Sequence, residues 1–326
     1  MTPTNNIILS ICIPTYNRAP ILNETIRRIT SDEGFDSEVE LIISDNCSPD
    51  NTQEVVEQYT RNYPNVRYFR NSENVHDRNC SLALGRASGH YAKLQNDYFA
   101  FKKGALDLMK RRIKENLRDK TPLFFTGDTI YTKEKKEVIY CNSLNDYIRA
   151  VSTFTTFLSN FGAFRDDISN LNDIDKYVPL RLPQCDWTYQ IVARHKKCII
   201  YDTDIYDKVP VPLGVRSGYN WFQIHLDNYY QILEPYVEQG HVSKKTIAND
   251  KKNLLKHFNS ALVKTYIYNH NPNWKFETRG TTSLLWKHYK REGIFYRYAL
   301  IYPFALLLSP LYILGATIKQ ALKSRR

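Results

Sequence analysis

The sequence predicts an α/β fold, a mostly parallel sheet with helices on both faces, continued by a helical C-terminal region. Three observations predict it. Apolar runs at 7–13, 39–44, 65–70 and 90–95 alternate with helix-forming stretches at 19–30, 51–62 and 78–87, the rhythm of right-handed βαβ units. The first two runs each end in a polar loop, Pro14-Thr-Tyr-Asn17 and Asp45-Asn-Cys-Ser-Pro-Asp50, which places a ligand crevice at the carboxyl edge of the sheet. From about residue 218 strand signals stop, and Tyr219–Glu238 and Ser243–Tyr268 have helical apolar spacing. Two domains are expected, 1–217 and 218–326.

Each element has a local reason. The run Ile7–Ile13 is expected to end where Pro14 removes a backbone donor, and Ala19–Thr30 follows as a helix. Behind Val39–Ser44, helix 51–62 has an N-cap in Asp50, or in Ser48 with Pro49 after it. Residues 102–118 form a basic helix (Lys102, Lys103, Lys110, Arg111, Arg112, Lys114, Arg118). Its charges suit either a solvated face or contact with phosphate or membrane. Leu123–Thr126 is a strand ending at Gly127-Asp128, with a hairpin around Lys133–Lys136. Phe161–Phe164 and Cys198–Tyr201 are further strands, and Asp186–Arg194 is a helix that opens on an acid.

Composition narrows the class. Hydrophobic (42%) and charged (24%) contents are those of a soluble globular protein. The six cysteines show no CxxC and no metal-type spacing, so reduced thiols in a cytoplasmic protein are expected. No signal peptide is read: the first apolar run is seven residues with no basic segment ahead of it. The net charge of +11 is uneven. Residues 241–326 hold 16 Lys and Arg against 3 Asp and Glu, leaving 29 against 31 in residues 1–240. The basicity therefore describes where the protein sits better than what it transforms. Between Arg297 and Lys319 lie 21 uncharged residues interrupted by Pro303 and Pro310, with basic residues at both ends. The length permits a membrane crossing. Positive charge at both ends instead favours a surface-bound helix or a shallow broken hairpin on the cytoplasmic face, and packing inside the fold is a third reading.

Four segments, Leu9–Arg18, Leu41–Asp50, Asn74–Ser81 and Ala87–Leu94, in this order and spacing, resemble the family 2 glycosyltransferases. The resemblance is strong over 7–106, thinner to about 215 and absent beyond. It implies a GT-A fold, Rossmann-like, and inverting transfer of a sugar from a nucleotide-diphospho-sugar to a hydroxyl. It implies that Pro14, Thr15, Tyr16 and Asn17 flank the base and ribose, with Tyr16 offering an aromatic face, and that Asp45 accepts hydrogen bonds from the nucleotide. Arg78 and Asn79 would lie beside the diphosphate, where a guanidinium neutralises a leaving group. His76 and Asp77 receive no role.

The family expects an acid cluster after the fourth strand, and this chain reads Leu94-Gln-Asn-Asp-Tyr-Phe99 there. Asn96 and Asp97 are the candidates at that place, with Asp97 the candidate ligand for Mg²⁺ or Mn²⁺. Alternatively, the metal is absent and cations such as Arg78 act instead. The resemblance implies a base downstream, an acid at the start of a helix after the acceptor loop, and Asp186, ahead of an amphipathic helix, fits that context, with an N-cap as the bland alternative. Asp128 and Asp166-Asp167 are held in reserve. Trp187 suits either a sugar face or the core.

The implied partners are a nucleotide-sugar and a glycan or lipid-linked acceptor, in the assembly of lipopolysaccharide, capsule or cell-wall glycan. Residues 287–326 would bind the membrane surface, so the expected location is peripheral on its cytoplasmic face. Three other readings stand beside this one. A nucleotidyltransferase would want a Gly-rich phosphate loop after strand one, and Pro14-Thr-Tyr-Asn17 has no glycine. A degenerate, non-catalytic scaffold is suggested by Gln95 and Asn96. A nucleic-acid binder is disfavoured because the positive charge surrounds an apolar segment without a reader motif.

Overall fold

The computed structural model describes residues 6–127, 136–211, 219–268, 277 and 279–307, with 310, 311 and 315. Asp128 and all of the expected hairpin but Lys136 lie outside these. The contacts divide the chain into two compact units, one of residues 1–211 and 229–246, the other of 212–228 and 247–326.

In the first unit, β1 (Leu9–Thr15), α1 (Ala19–Thr30), β2 (Val39–Asp45), α2 (Thr52–Asn62), β3 (Val66–Arg70), α3 (Asn79–Gly85) and β4 (Tyr91–Leu94) follow the predicted alternation. A five-stranded sheet has the order β3-β2-β1-β4-β8, where β8 (Gly162–Phe164) runs antiparallel to β4 and the other pairs are parallel. Gly162 is required at this pairing, because a Cβ there would meet the Tyr91 hydroxyl at 2.5 Å.

The two strands framing the crevice run further at their carboxyl ends than expected. β1 passes through Pro14 to Thr15, which faces Asp45 in the β1–β2 register. The reason is directional. The Cys12 carbonyl accepts from Gln95 N–H on the β4 side, and the Thr15 carbonyl accepts from Asn46 N–H on the β2 side. Pro14 alternates with Thr15, so its missing N–H points toward β4, beyond the last β1–β4 pair, Cys12↔Leu94. No sheet hydrogen bond is lost.

β5 (Phe99–Phe101) was not legible as a strand; it pairs with β10 (Tyr206–Lys208). The basic stretch 102–118 contracts to α4 (Ala105–Glu115). Its charges meet acids: Lys110 with Asp36 (2.6 Å) and Asp107 (3.0 Å), and Lys114 with Glu38 (2.6 Å). These pairs favour the solvated-face reading for Lys110 and Lys114.

The strands β6 (Leu123–Phe125), β9 (Cys198–Tyr201) and β7 (Val138–Cys141) form a third sheet. Two helices frame it in sequence, α5 (Leu144–Val151) and, after the short α6 (Arg165–Ser169), α7 (Pro183–His195). Finally α8 (Tyr229–Glu238) belongs to this unit, beyond the boundary expected at 217, because Tyr229, Tyr230, Ile232, Leu233 and Tyr236 are buried and Tyr236 meets α7. The core is apolar: Ile11, Ile13, Leu22, Ile26, Leu41, Ile43 and Tyr91 are almost fully buried. All six cysteines are free thiols, and five are buried.

In the second unit, a π-helical turn (Gln223–Asn228) packs on α10 (Thr281–Tyr289). Asp227 joins them, accepting from Lys287 (2.5 Å) and meeting His288 Nε2 (3.0 Å). The long α9 (Lys244–Tyr268) and α11 (Gly293–Leu307) complete the described helices. No helix among the described residues is long and apolar enough to cross a membrane.

Candidate functional site

Three loops at the carboxyl edge of the main sheet converge and are stitched together. Asn17, Cys47 and His76, one in each loop after β1, β2 and β3, have left-handed backbones (φ 53°, 62° and 52°), a strained conformation that tends to mark functional sites. Asn17 N–H donates to Ser48 Oγ (2.9 Å). The Asn46 side chain donates to Asn74 Oδ1 (2.7 Å) and accepts from Val75 N–H (2.9 Å). Asp50, expected to cap its own helix, accepts from Thr52 N–H (3.2 Å) at the start of α2 and also from Ala19 N–H (2.9 Å) at the start of α1. Burial works against its charge, but these donors hold its carboxyl below the usual carboxylate range.

At the centre lies Asp97. The Thr15 hydroxyl donates to its Oδ2 (3.0 Å), and Arg18 Nη1 donates to its Oδ1 (2.9 Å). Thr25 Oγ1 donates to the Asp97 carbonyl (2.7 Å), which fastens this loop to α1. Burial pushes the Asp97 carboxyl up, against the pull of Arg18 and Thr15. Tyr16 stands 43% exposed beside this group in sequence. Asn96 binds Ser159 Oγ through both its backbone N–H and its side-chain amide.

Asp45 sits on the same edge, opposite Thr15, and is fully buried. It is not open to a nucleotide. It accepts from Ser48 N–H (2.9 Å), Ser48 Oγ (2.5 Å), Tyr68 OH (2.6 Å) and Arg70 Nη1 (2.9 Å). Tyr68 and Arg70 thus stand over Asp45 at that place, and the sequence reading did not include them. Asn79 is likewise scaffold, since its amide is spent on Ser44 and Asn71. Arg78 is half-exposed and pairs with Asp175 (2.9 Å), while Arg181 pairs with Asp77 (3.2 Å). These two pairs tie the segment before α7 to the start of α3.

Asp186 lies in a separate network. It is the fourth residue of α7, not its first, and is 4% exposed. Its Oδ1 accepts from Tyr236 OH (2.7 Å) and its Oδ2 from Gln190 Nε2 (2.7 Å). Burial raises its carboxyl above the ordinary range, while those two donors oppose the rise. Trp187 is core: it is fully buried, donates to the Ile174 carbonyl (2.8 Å) and packs edge-on against Phe161. The reserve acids are also occupied, Asp166 by Lys120 and Asp167 by His195 (2.7 Å). A cavity of about 330 Å³ opens by His90, Lys120 and Arg165; of the candidate residues it includes the reserve acid Asp166 and no other.

Comparison with known proteins fits this edge. The family model for glycosyl transferase family 2 matches residues 10–168, which hold Thr15, Arg18, Asp45 and Asp97. Residues 10–168 belong to glycosyl transferase family 2. Over 106 residues the chain is 36% identical to the abequosyltransferase RfbV of Salmonella typhimurium, covering 32% of each. Over 109 residues it is 29% identical to the GalNAc(5)-diNAcBac-PP-undecaprenol beta-1,3-glucosyltransferase of Campylobacter jejuni, covering 33% of this chain and 35% of that one. The matches thus span about a third of the length of these curated relatives. Among solved structures, residues 1–349 of S. aureus TarS superpose with a TM-score of 0.55 at 15% identity, covering 95% of this chain and 92% of that one; that protein has also been crystallised with UDP-GlcNAc. The fold is GT-A.

Glycosyltransferases of this fold often use a divalent cation, and the residues present do not fit one. Both Asp97 oxygens are engaged, one by a guanidinium. Gln95 Oε1 is a buried acceptor without a partner, but it is neutral. Among the described residues no three His, Cys, Asp or Glu side chains group as metal ligands. The expected Mg²⁺ or Mn²⁺ site at Asp97 is thus replaced by an internal ion pair.

Proposed function

We propose that the protein is an inverting glycosyltransferase moving a sugar from a nucleotide-diphospho-sugar to a hydroxyl of a glycan or lipid-linked acceptor, in surface polysaccharide synthesis. The observation that carries this reading is the group Thr15–Asp97–Arg18 at the carboxyl ends of β1 and β4, where the sheet order reverses. Ligands of open α/β sheets bind at such a switch point. The curated relatives are sugar transferases, and the name of one contains an undecaprenol diphosphate acceptor.

In this reading Pro14, Tyr16 and Asn17 line the nucleotide, and Tyr68 and Arg70 meet it in place of Asp45. Arg78 reaches the diphosphate by exchanging its Asp175 partner. The acceptor hydroxyl gives its proton to Asp186 as it displaces Tyr236 or Gln190, and attacks the anomeric carbon while the nucleoside diphosphate departs. A carboxyl raised by burial is a better base than an exposed one. In the second unit, Trp286, Tyr296, Leu300, Leu307 and Leu311 are exposed among Lys287, Lys290, Arg291 and Arg297. An apolar surface set among cations suits the cytoplasmic face of an anionic membrane, where a lipid-linked acceptor would be found.

The test is release of nucleoside diphosphate from a panel of nucleotide-sugars, with and without added membrane glycolipid. Asp186→Asn is expected to lower transfer by about 10²-fold or more while nucleotide affinity stays within about threefold. Tyr236→Phe keeps transfer within about tenfold. If Asp186→Asn abolishes nucleotide binding as well, the residue is not the base. A panel that shows neither binding nor release removes the whole reading.

A further inference from the structure

We propose that Arg18 occupies the place of the metal, supplying the positive charge that meets the donor diphosphate, so that this chain binds its nucleotide without a divalent cation. The inference rests on the transferase reading above and concerns how its site is built.

Four observations carry it. Arg18 and a cation would compete for the same atom, because the Asp97 Oδ1 that a metal needs is 2.9 Å from the guanidinium. The second oxygen is held by Thr15 (3.0 Å). The arginine is placed rather than loose. The left-handed Asn17 before it is bonded to Ser48, and Ala19 after it is bonded to Asp50. Arg18 is also only partly used: its side chain is 28% exposed against 6% for Asp97. Of its five N–H donors, one is bonded to Asp97. The rest are free to take phosphate oxygens in the forked geometry that guanidinium favours. Finally, the chain has neutral Gln95 and Asn96 where further acids would be needed to outbid an arginine.

The electrostatics are consistent with this. A buried carboxylate left without a partner is strongly destabilising, and pairing with an arginine offsets part of that cost. Arg18 thus opposes the effect of burial on the Asp97 carboxyl. Asp97 in turn keeps the guanidinium aimed at the sheet edge, so no ordering cost falls on donor binding. Tyr98, whose ring centre is 6.0 Å from the Arg18 carbon, gives it a second wall.

The experiment measures calorimetric affinities of the full chain for UDP, GDP, CDP and dTDP, in EDTA and in Mn²⁺, with Mn²⁺ binding followed separately by electron paramagnetic resonance. The wild type is expected to bind one of the four with affinities within about threefold in the two conditions, and to take up no Mn²⁺ in the absence of nucleotide. Arg18→Ala is expected to lose about thirtyfold in EDTA, the worth of a charged hydrogen bond. It should also gain a Mn²⁺ signal as Asp97 is released, and Asp97→Asn in addition should remove that signal. Arg18→Lys keeps the charge and loses less. Wild-type binding that appears only with Mn²⁺ overturns the inference while leaving the transferase reading intact. So does Arg18→Ala binding as well as wild type in EDTA. A wild type that binds none of the four in either condition overturns both. The wild-type arm needs no variant, so a misfolded Arg18→Ala cannot obscure the result.

Discussion

At the carboxyl edge of the main sheet, the loops after β1, β2 and β3 are bonded to one another and to buried carboxylates. In the second unit, Trp286, Leu300, Leu307 and Leu311 stand between 52% and 76% exposed. The first region spends its polar groups on geometry and hides its apolar ones; the second leaves apolar surface uncovered among cations. On the proposed reading the difference separates two tasks. A reacting site needs fixed groups, whereas an interfacial surface needs only area and charge.

The contrast can be broken, and the largest effect is expected at its centre. Asp97→Ala leaves Thr15 and Arg18 without their common partner and should lower turnover by about 10³-fold, while vesicle partition is unchanged. A variant that lost both would undo the division of tasks.

The next test probes what the first unit sacrifices. Lys93 on β4 is buried, donates to Tyr206 OH (2.9 Å) and to the Ser159 carbonyl, and burial lowers its amine from 10.5 to about 7. A depressed lysine leaves stability intact above 10.5, loses it progressively as pH falls toward 7, and changes little below. Lys93→Met should therefore gain about 2 kcal/mol more over wild type at pH 7 than at pH 9, measured by denaturant unfolding. An equal effect at both pH values would mean that the amine is not held neutral.

The smallest effect belongs to the second unit. Trp286→Ser with Leu300→Ser should weaken partition to vesicles containing anionic lipid by about tenfold, with turnover on a soluble acceptor unchanged. Salt should weaken the wild type in the same assay.

Most of the fold was legible because its signals are local. Apolar runs and polar loops marked β1 to β4, and the family resemblance marked Asp97 after β4. What escaped depends on contacts far apart in sequence. Nothing in residues 65–70 says that Tyr68 and Arg70 close over Asp45, turning an apparent ligand contact into a structural anchor. Arg18 lay in plain view after Asn17, yet its pairing with Asp97 spans 79 residues. One local sign existed: Arg18 precedes α1 without offering a side-chain cap. Asp186 is covered by Tyr236 of α8, fifty residues later, and Trp187 is buried against Phe161 and Ile174, also distant in sequence. The three-residue β5 is too short for periodicity to report.

Pro14 has a consequence for how the crevice stays accessible. Two parallel ribbons tend to keep zipping along their shared edge as long as donors and acceptors remain. On the flank facing β4, the next tooth of that zipper is a ring nitrogen with no hydrogen to give. The gap between the two ribbons is therefore fixed covalently in the chain, and it persists whether or not a guest is there to prop it apart.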